Sequence, residues 1–190
     1  MILSVGINLC HDGLMNPYRK IQEDTEGVHE MLWIIITILV IAIDQITKYI
    51  VVRNIEPTEM IPVIDRFFYL TLHRNPGGAW GIFQNSGVMF LVLIPVISAF
   101  LVYTIIRNND RSLRAILGLI LGGAIGNYID RVAEGKVIDF LLFYIGPYPF
   151  PVFNAADIAV TCGTVMLAVY ILFIYKEPKT ANQEEEKNEE

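Results

Sequence analysis

Asp139 and Asp157 flank a run of aromatic, aliphatic and proline residues in the stretch GKVIDFLLFYIGPYPFPVFNAADIAV, residues 135–160. A carboxylate in such company costs free energy, because its ionised form prefers water to hydrocarbon. Two carboxylates close together at a partly dry site cannot easily both ionise. One keeps its proton, so the pair offers a base and an acid at once. The ionised member can take a proton from water while the protonated member donates to a carbonyl oxygen. This is aspartic-protease chemistry, and it needs no metal, serine or cysteine nucleophile. Titration belongs to such a pair as a whole, so neither role is given to one residue.

Each further candidate has a structural reading beside the chemical one. Asp44 and Lys48, in DQITK, lie four apart on one helical face. There they can neutralise each other as an intrahelical ion pair, and that is the favoured reading. Gly118, Gly122 and Gly126 repeat every four residues, a small face that lets helices approach closely. Asn127 and Arg131 follow, again four apart. Asn154 and Asp157, in FNAAD, have the spacing of an N-cap residue with an acid at the third helical position. On local grounds the cap suffices for Asp157. Asp139, in VIDF, has no such cap role. The two cysteines, Cys10 and Cys162, and the three histidines are scattered with no metal-like spacing. No metal or other cofactor is expected, and Cys162 reads as a small apolar residue within a helix.

The elements that must position these side chains are membrane spans. The chain has 190 residues, 54% of them hydrophobic and 18% charged, which is too apolar for an ordinary soluble domain. Four blocks approach or exceed the roughly 20 apolar residues needed to cross a bilayer: Met31–Val52, Ser86–Ile106, Leu113–Ile129 and Ala155–Tyr175. The third is the shortest, and local thinning of the bilayer would accommodate it. Arg107, Arg111 and Arg114 lie between the second and third spans, and Lys176 and Lys179 follow the fourth. These bases place both termini in the cytoplasm and segments 53–85 and 130–154 outside. Asp44 then stands about 20 Å into the first span, in its outer third. Asn127, Asp130, Arg131, Asp139 and Asp157 gather at the same outer boundary. The segment FFYLTLHRNPGGAWGIF reads as a strand and hairpin turning at NPGG. Residues 140–153 read as an aromatic interfacial loop whose prolines preclude one long helix. The expected fold is therefore mainly α, with four transmembrane helices, a small extracytoplasmic β segment and an aromatic loop.

In that order and among four spans, DQITK, HRNPGGAWGIF, GGAIGNYIDR, VIDF and FNAAD resemble the bacterial lipoprotein signal peptidase family (signal peptidase II). The resemblance covers about residues 31–175. It implies an aspartic endopeptidase of the cell membrane that removes signal peptides from prolipoproteins, cutting just before the cysteine that carries diacylglycerol. By motif, Asp139 and Asp157 match the catalytic pair. Asp44, Asn75, Gly123, Asn127, Arg131 and Asn154 match positions that shape the site or contact substrate, and Lys48 accompanies Asp44. Inhibition by the cyclic peptide globomycin is implied as well. The implied partners are prolipoprotein signal peptides bearing diacylglyceryl-cysteine and membrane lipids, with no nucleic acid. One departure is Pro76, which restricts Asn75 to extended backbone.

The ends of the chain lie outside this domain. Residues 1–30 have no long apolar segment and no signal-peptide pattern, and INLC lacks the small residues of a lipobox. The codons of Glu26-Gly27-Val28 can spell a ribosome-binding core, so translation is expected to begin at Met31. Residues 176–190 read as a charged, disordered cytoplasmic tail; NQEEEKNEE alone carries −4 of the net charge of −6. Two other functions share some of these features. An ion- or proton-coupled transporter uses intramembrane carboxylates, but near the midplane and between repeated halves. A non-catalytic assembly subunit would use the glycine face and leave Asp139 unexplained.

Overall fold

A computed structural model of the chain describes residues 17–57, 59–77 and 87–175. Its elements are α1 (Pro17–Asn54), β1 (Met60–Ile64), β2 (Phe68–Asn75), α2 (Gly87–Arg107), α3 (Arg111–Glu134), β3 (Val137–Ile145), β4 (Tyr148–Pro149) and α4 (Ala155–Val169). A π-helical turn at Tyr170–Ile174 extends α4. Four stretches are long and apolar enough to cross a membrane: Met31–Asn54, Met89–Arg107, Arg111–Glu134 and Ala155–Ile174. Most of their apolar side chains point outward, as a lipid solvent allows.

The central helix is α3, the most enclosed of the four at 39% buried against 11% for α2. Its glycines explain why. A Cβ on Gly118 would lie 2.8 Å from the Trp33 carbonyl oxygen, and one on Gly122 would lie 2.8 Å from Val40 Cβ. Toward α4, a Cβ on Gly123 would stand 2.5 Å from the Ala156 carbonyl oxygen. Gly163 of α4 returns the fit, with Ile120 Cγ1 only 2.6 Å from where its Cβ would be. Small residues thus bring both α1 and α4 close against α3, as the glycine repeat led us to expect. Thr37 adds a polar tie, its hydroxyl donating to the Gly118 carbonyl at 2.9 Å.

Helix α3 runs past the predicted end at Ile129 to Glu134, where Gly135 closes it at φ 71°. The helix is therefore 24 residues long, and no bilayer thinning is needed. Asn127, Asp130 and Arg131 do not end it because their side chains are engaged inside the fold rather than released to water.

The strands form one antiparallel sheet in the order β1-β2-β3-β4. The strand expected in FFYLTLHRN is β2, and it pairs with the preceding β1 through a turn at Asp65–Phe67 with Arg66 at φ 60°. The hairpin expected to turn at NPGG runs beyond Gly77, outside the described residues. The aromatic segment corrects an expectation, for it is mostly strand rather than loop: β3 pairs with β2 on one edge and with β4 and Phe153 on the other. Each edge of β3 finds backbone partners there, which a loop of that apolarity would lack. Phe143 stacks on Phe68 at 4.5 Å between ring centres. Ile138 and Phe140 join Val51, Ile55 and Leu72 in a cluster that seats the sheet on α1. Residues 1–16 and 176–190, with the expectations for them, lie outside the described residues.

Candidate active site

Asp139 stands in β3, not in a loop, between Ile138 and Phe140. Those neighbours face α1, so strand alternation turns Asp139 to the opposite side, toward α3 and α4. There it is 2% exposed. Two amides hold it: Asn75 Nδ2 donates to Oδ2 at 2.9 Å, and Asn154 Nδ2 donates to Oδ1 at 2.7 Å. Asn75 reaches it because β2 pairs Asn75 with Val137, two residues before Asp139 on the same face. Pro76 is compatible with this geometry: Asn75 ends the strand in extended pairing, and its Oδ1 accepts from the Gly77 N–H at 2.9 Å. Desolvation by burial pushes Asp139 up to about 7; the negative charge of Asp157 adds to the rise, while the amide hydrogen bonds oppose it.

Asp157 is in the first turn of α4 and only half-buried. The cap reading of FNAAD is correct as local structure. Asn154 Oδ1 accepts from the Asp157 N–H at 2.9 Å, and Asp157 Oδ2 accepts from the Asn154 N–H at 3.1 Å. The other carboxylate oxygen is not used by the cap; it accepts from Asn127 Nδ2 at 2.7 Å. Asn127 Oδ1 in turn accepts from Asn154 Nδ2 at 3.0 Å. A chain of two amides therefore joins the carboxylates, Asp139 to Asn154 to Asn127 to Asp157. The pairing of Phe153 with Leu141 makes this possible by bringing the start of α4 back alongside β3.

Arg131 lies one turn beyond Asn127. It donates to the Asn127 carbonyl at 3.0 Å and to the Gly77 carbonyl at 3.4 Å, and its guanidinium sits 4.6 Å from the Phe90 ring centre. These contacts tie the end of β2 to α3. Gly123 faces Ala156 and Val160; it is where α4 meets α3, one turn below Asn127.

The Asp44–Lys48 ion pair is present, with Lys48 Nζ 2.7 Å from Asp44 Oδ2, but it is not confined to α1. Lys48 Nζ also lies 2.8 Å from Asp130 Oδ2 and donates to Asn127 Oδ1 at 3.1 Å. Asp44 Oδ1 accepts from the Ala156 N–H at 2.9 Å. Asp130 and Gln45 are members of this network that sequence reasoning did not single out as site residues. Gln45 Nε2 donates to Asp130 Oδ1 at 3.0 Å and approaches Asp44 Oδ2 at 3.2 Å. The signal for Asp130 was its position three residues after Asn127, on the same face of a membrane helix, where an acid calls for a partner. Gln45, next to Asp44, carried no distinguishing signal. Among the described residues no three His, Cys, Asp or Glu side chains converge to hold a metal ion.

Two acids on different elements, joined by amides at the sheet end of a four-span bundle, define a candidate hydrolytic site in the fold of a membrane enzyme. The comparisons give the class a family. The model of the family described as signal peptidase (SPase) II matches residues 36–173, and the chain belongs to that family of peptidases. It is 43% identical over 159 residues to a lipoprotein signal peptidase of Geobacillus thermodenitrificans (strain NG80-2), covering 83% of this chain and 99% of the relative. Two solved structures, each a bacterial membrane enzyme determined by the in meso method, share the fold. One, at 2.3 Å resolution, has a TM-score of 0.70 and 35% identity, covering 78% of this chain and 93% of that one. The other, at 1.9 Å, has a TM-score of 0.68 and 36% identity, covering 75% and 94%.

Proposed function

We propose that the protein is an aspartic endopeptidase that removes signal peptides from prolipoproteins, cutting on the N-terminal side of a diacylglyceryl-modified cysteine. The observation that carries this reading is the amide-linked pair Asp139 and Asp157, one carboxyl buried and the other half-open. The relative's name supplies the substrate class, and the four spans suit a substrate whose acyl chains stay in lipid while water reaches the scissile bond. Asp44, Asn75, Asn127, Arg131 and Asn154 position the pair; Gly123 sets the distance of the helix bearing Asp157.

Burial favours the protonated form of Asp139, so that residue is given the part of acid and the more open Asp157 the part of base. Asp157 takes a proton from a water molecule as the water oxygen bonds to the scissile carbonyl carbon. Asp139 donates its proton to the carbonyl oxygen, giving a neutral gem-diol. Collapse of that intermediate returns the hydroxyl proton to Asp139 and breaks the C–N bond. The leaving nitrogen takes the proton held by Asp157, which restores both groups. The flanking bases favour a site at the extracytoplasmic face, with both termini in the cytoplasm. A globomycin-type cyclic peptide would bind at the same pair of acids.

The test is cleavage of a prolipoprotein by the purified protein in detergent, with the product identified by mass. A mature product beginning at the diacylglyceryl-cysteine, formed from the lipidated precursor and not from the unmodified one, is the expected result. Equal cutting of both precursors, or of neither, would contradict the substrate assignment.

A further inference from the structure

The Lys48 network has a regularity beyond charge neutralisation. Lys48 is 3% exposed and lies between Asp44 and Asp130, which are 0% and 7% exposed. Each of these carboxylates grips one backbone N–H. Asp44 takes that of Ala156 at 2.9 Å, and Ala156 immediately precedes Asp157. Asp130 takes that of Ile138 at 3.1 Å, and Ile138 immediately precedes Asp139. The third contact of the ammonium, Asn127 Oδ1, fixes which way that amide faces, and so turns its NH2 group toward Asp157. One cation therefore bears on the backbone before both acids and on the amide between them.

We propose that Lys48, through Asp44 and Asp130, is a positioning clamp that sets the separation and facing of Asp139 and Asp157 during catalysis. This inference rests on the proposed aspartic dyad. The network fits that role better than it fits stability alone. An ammonium with two carboxylates leaves a net negative charge in a dry place, and a buried ion pair often contributes less than apolar packing of the same volume. What it provides is direction, since each carboxylate fixes a strand or helix end by a charge-assisted hydrogen bond. Gln45 braces both carboxylates from the side. Lys48 acts on the two acids through these intermediaries, so it is a positioning residue.

The experiment compares Lys48→Met, the double variant Lys48→Met with Asp130→Asn, and the single variants Asp139→Asn and Asp157→Asn. All are assayed on lipidated precursor, with melting followed in detergent. Lys48→Met should lower kcat by about a hundredfold, the scale of a misplacement near 1 Å, while KM stays within about threefold. It should also melt lower, because it leaves two buried carboxylates without their cation. The double variant removes one of those charges and keeps an oxygen for the Ile138 N–H, so it should recover melting but not kcat. Recovery of kcat together with melting would reduce the network to a stability element and overturn the clamp. So would full kcat in Lys48→Met, or a double variant that fails to fold, since the charge balance would then not be what the fold requires. If Asp139→Asn or Asp157→Asn keeps its turnover, the dyad itself is wrong. If both lose it while Lys48→Met does not, only the clamp is wrong.

Discussion

The two ends of the helix bundle are held by different forces. Away from the sheet, Leu101, Ile105, Leu113, Ile116, Leu117, Leu121 and Tyr170 form an apolar cluster. Beside it lies a cavity of about 580 Å³ lined mainly by apolar groups of α1, α3 and α4, among them Ile36, Leu119 and Met166. At the sheet end the same helices meet through the polar side chains of Asp44, Lys48, Asn127, Asp130 and Asn154. In lipid, apolar packing gains nothing from expelling water, so the first end depends on shape and dispersion. The second depends on hydrogen bonds whose partners would otherwise be unsatisfied. Shape tolerates small losses by relaxing, and a polar network does not. A loss at the apolar end should therefore show in stability alone, and a loss in the polar network of the sheet end in the geometry of the proposed site as well.

That division can be sharpened by substitution, taken from the largest expected stability cost to the smallest. Ile105→Ala at the apolar end should cost about 2 kcal/mol, near the low side of the usual range because lipid tails replace the lost transfer term. Ile105 is fully buried, so the cost should appear as lower melting in detergent, with kcat of the folded fraction unchanged. A fall in kcat as large as that of a site variant would blur the two ends.

Gly123→Ala crosses the boundary. Its Cβ would press on the Ala156 backbone at 2.5 Å, next to Asp157, and overpacking of this kind costs about 1–3 kcal/mol. Both melting and kcat should drop. Unchanged kcat would mean that α4 can shift without disturbing the acids.

Asp110 caps α3 at the apolar end, accepting from the Leu113 N–H at 2.9 Å, a bond that holds its carboxyl below the usual range. Asp110→Ala should cost about 1 kcal/mol and leave turnover alone. Because its folded value is depressed, this contribution is present above the unfolded pKa and fades as pH falls through the folded one. Melting of the parent and the variant should therefore converge in acid.

Asp139 has the opposite sign. Its folded value is raised to about 7, so its contribution to stability is full below its ordinary carboxylate pKa and is lost as pH rises through 7. Asn cannot accept at both positions, so Asp139→Asn gives up one of the two amide contacts at every pH. Beyond that fixed cost, its melting relative to the parent should rise between a pH of about 4 and one of about 8. Parent turnover should fall on the alkaline side as the acid loses its proton. A melting difference from the parent that is the same in both samples would mean that the carboxyl is not strained by burial.

How much of this was legible in the sequence follows the same division. The four spans and the glycine face were readable because length, apolarity and a four-residue repeat are local properties. The end of α3 was not, since Asp130 and Arg131 look like a helix leaving the membrane until their partners on α1 and β2 are known. Strand β3 was missed because FLLFYI, which follows Asp139, is a continuous apolar run, which periodicity does not separate from other buried segments. The β1–β2 turn has Arg66 at positive φ with no glycine to signal it. FNAAD was read correctly as a cap, and its second use, through the remaining oxygen of Asp157, depends on Asn127 of a different helix. The candidate acids were visible as chemistry; the amides linking them belong to tertiary structure.

The central claim is that Asp139 and Asp157 work as one unit, and turnover of the single and double Asn variants tests it most directly. Asparagine keeps the shape of aspartate. In Asp157→Asn the one remaining carbonyl oxygen can still accept from Asn127 or from the Asn154 N–H, so each protein should fold, with melting in detergent as the control. Each single variant should lose cleavage of lipidated prolipoprotein by at least about a thousandfold, and the double variant should be little worse than either, as for residues that act together. Near-parental turnover in either well-folded single variant would contradict the dyad and leave Asp157 as a helix cap.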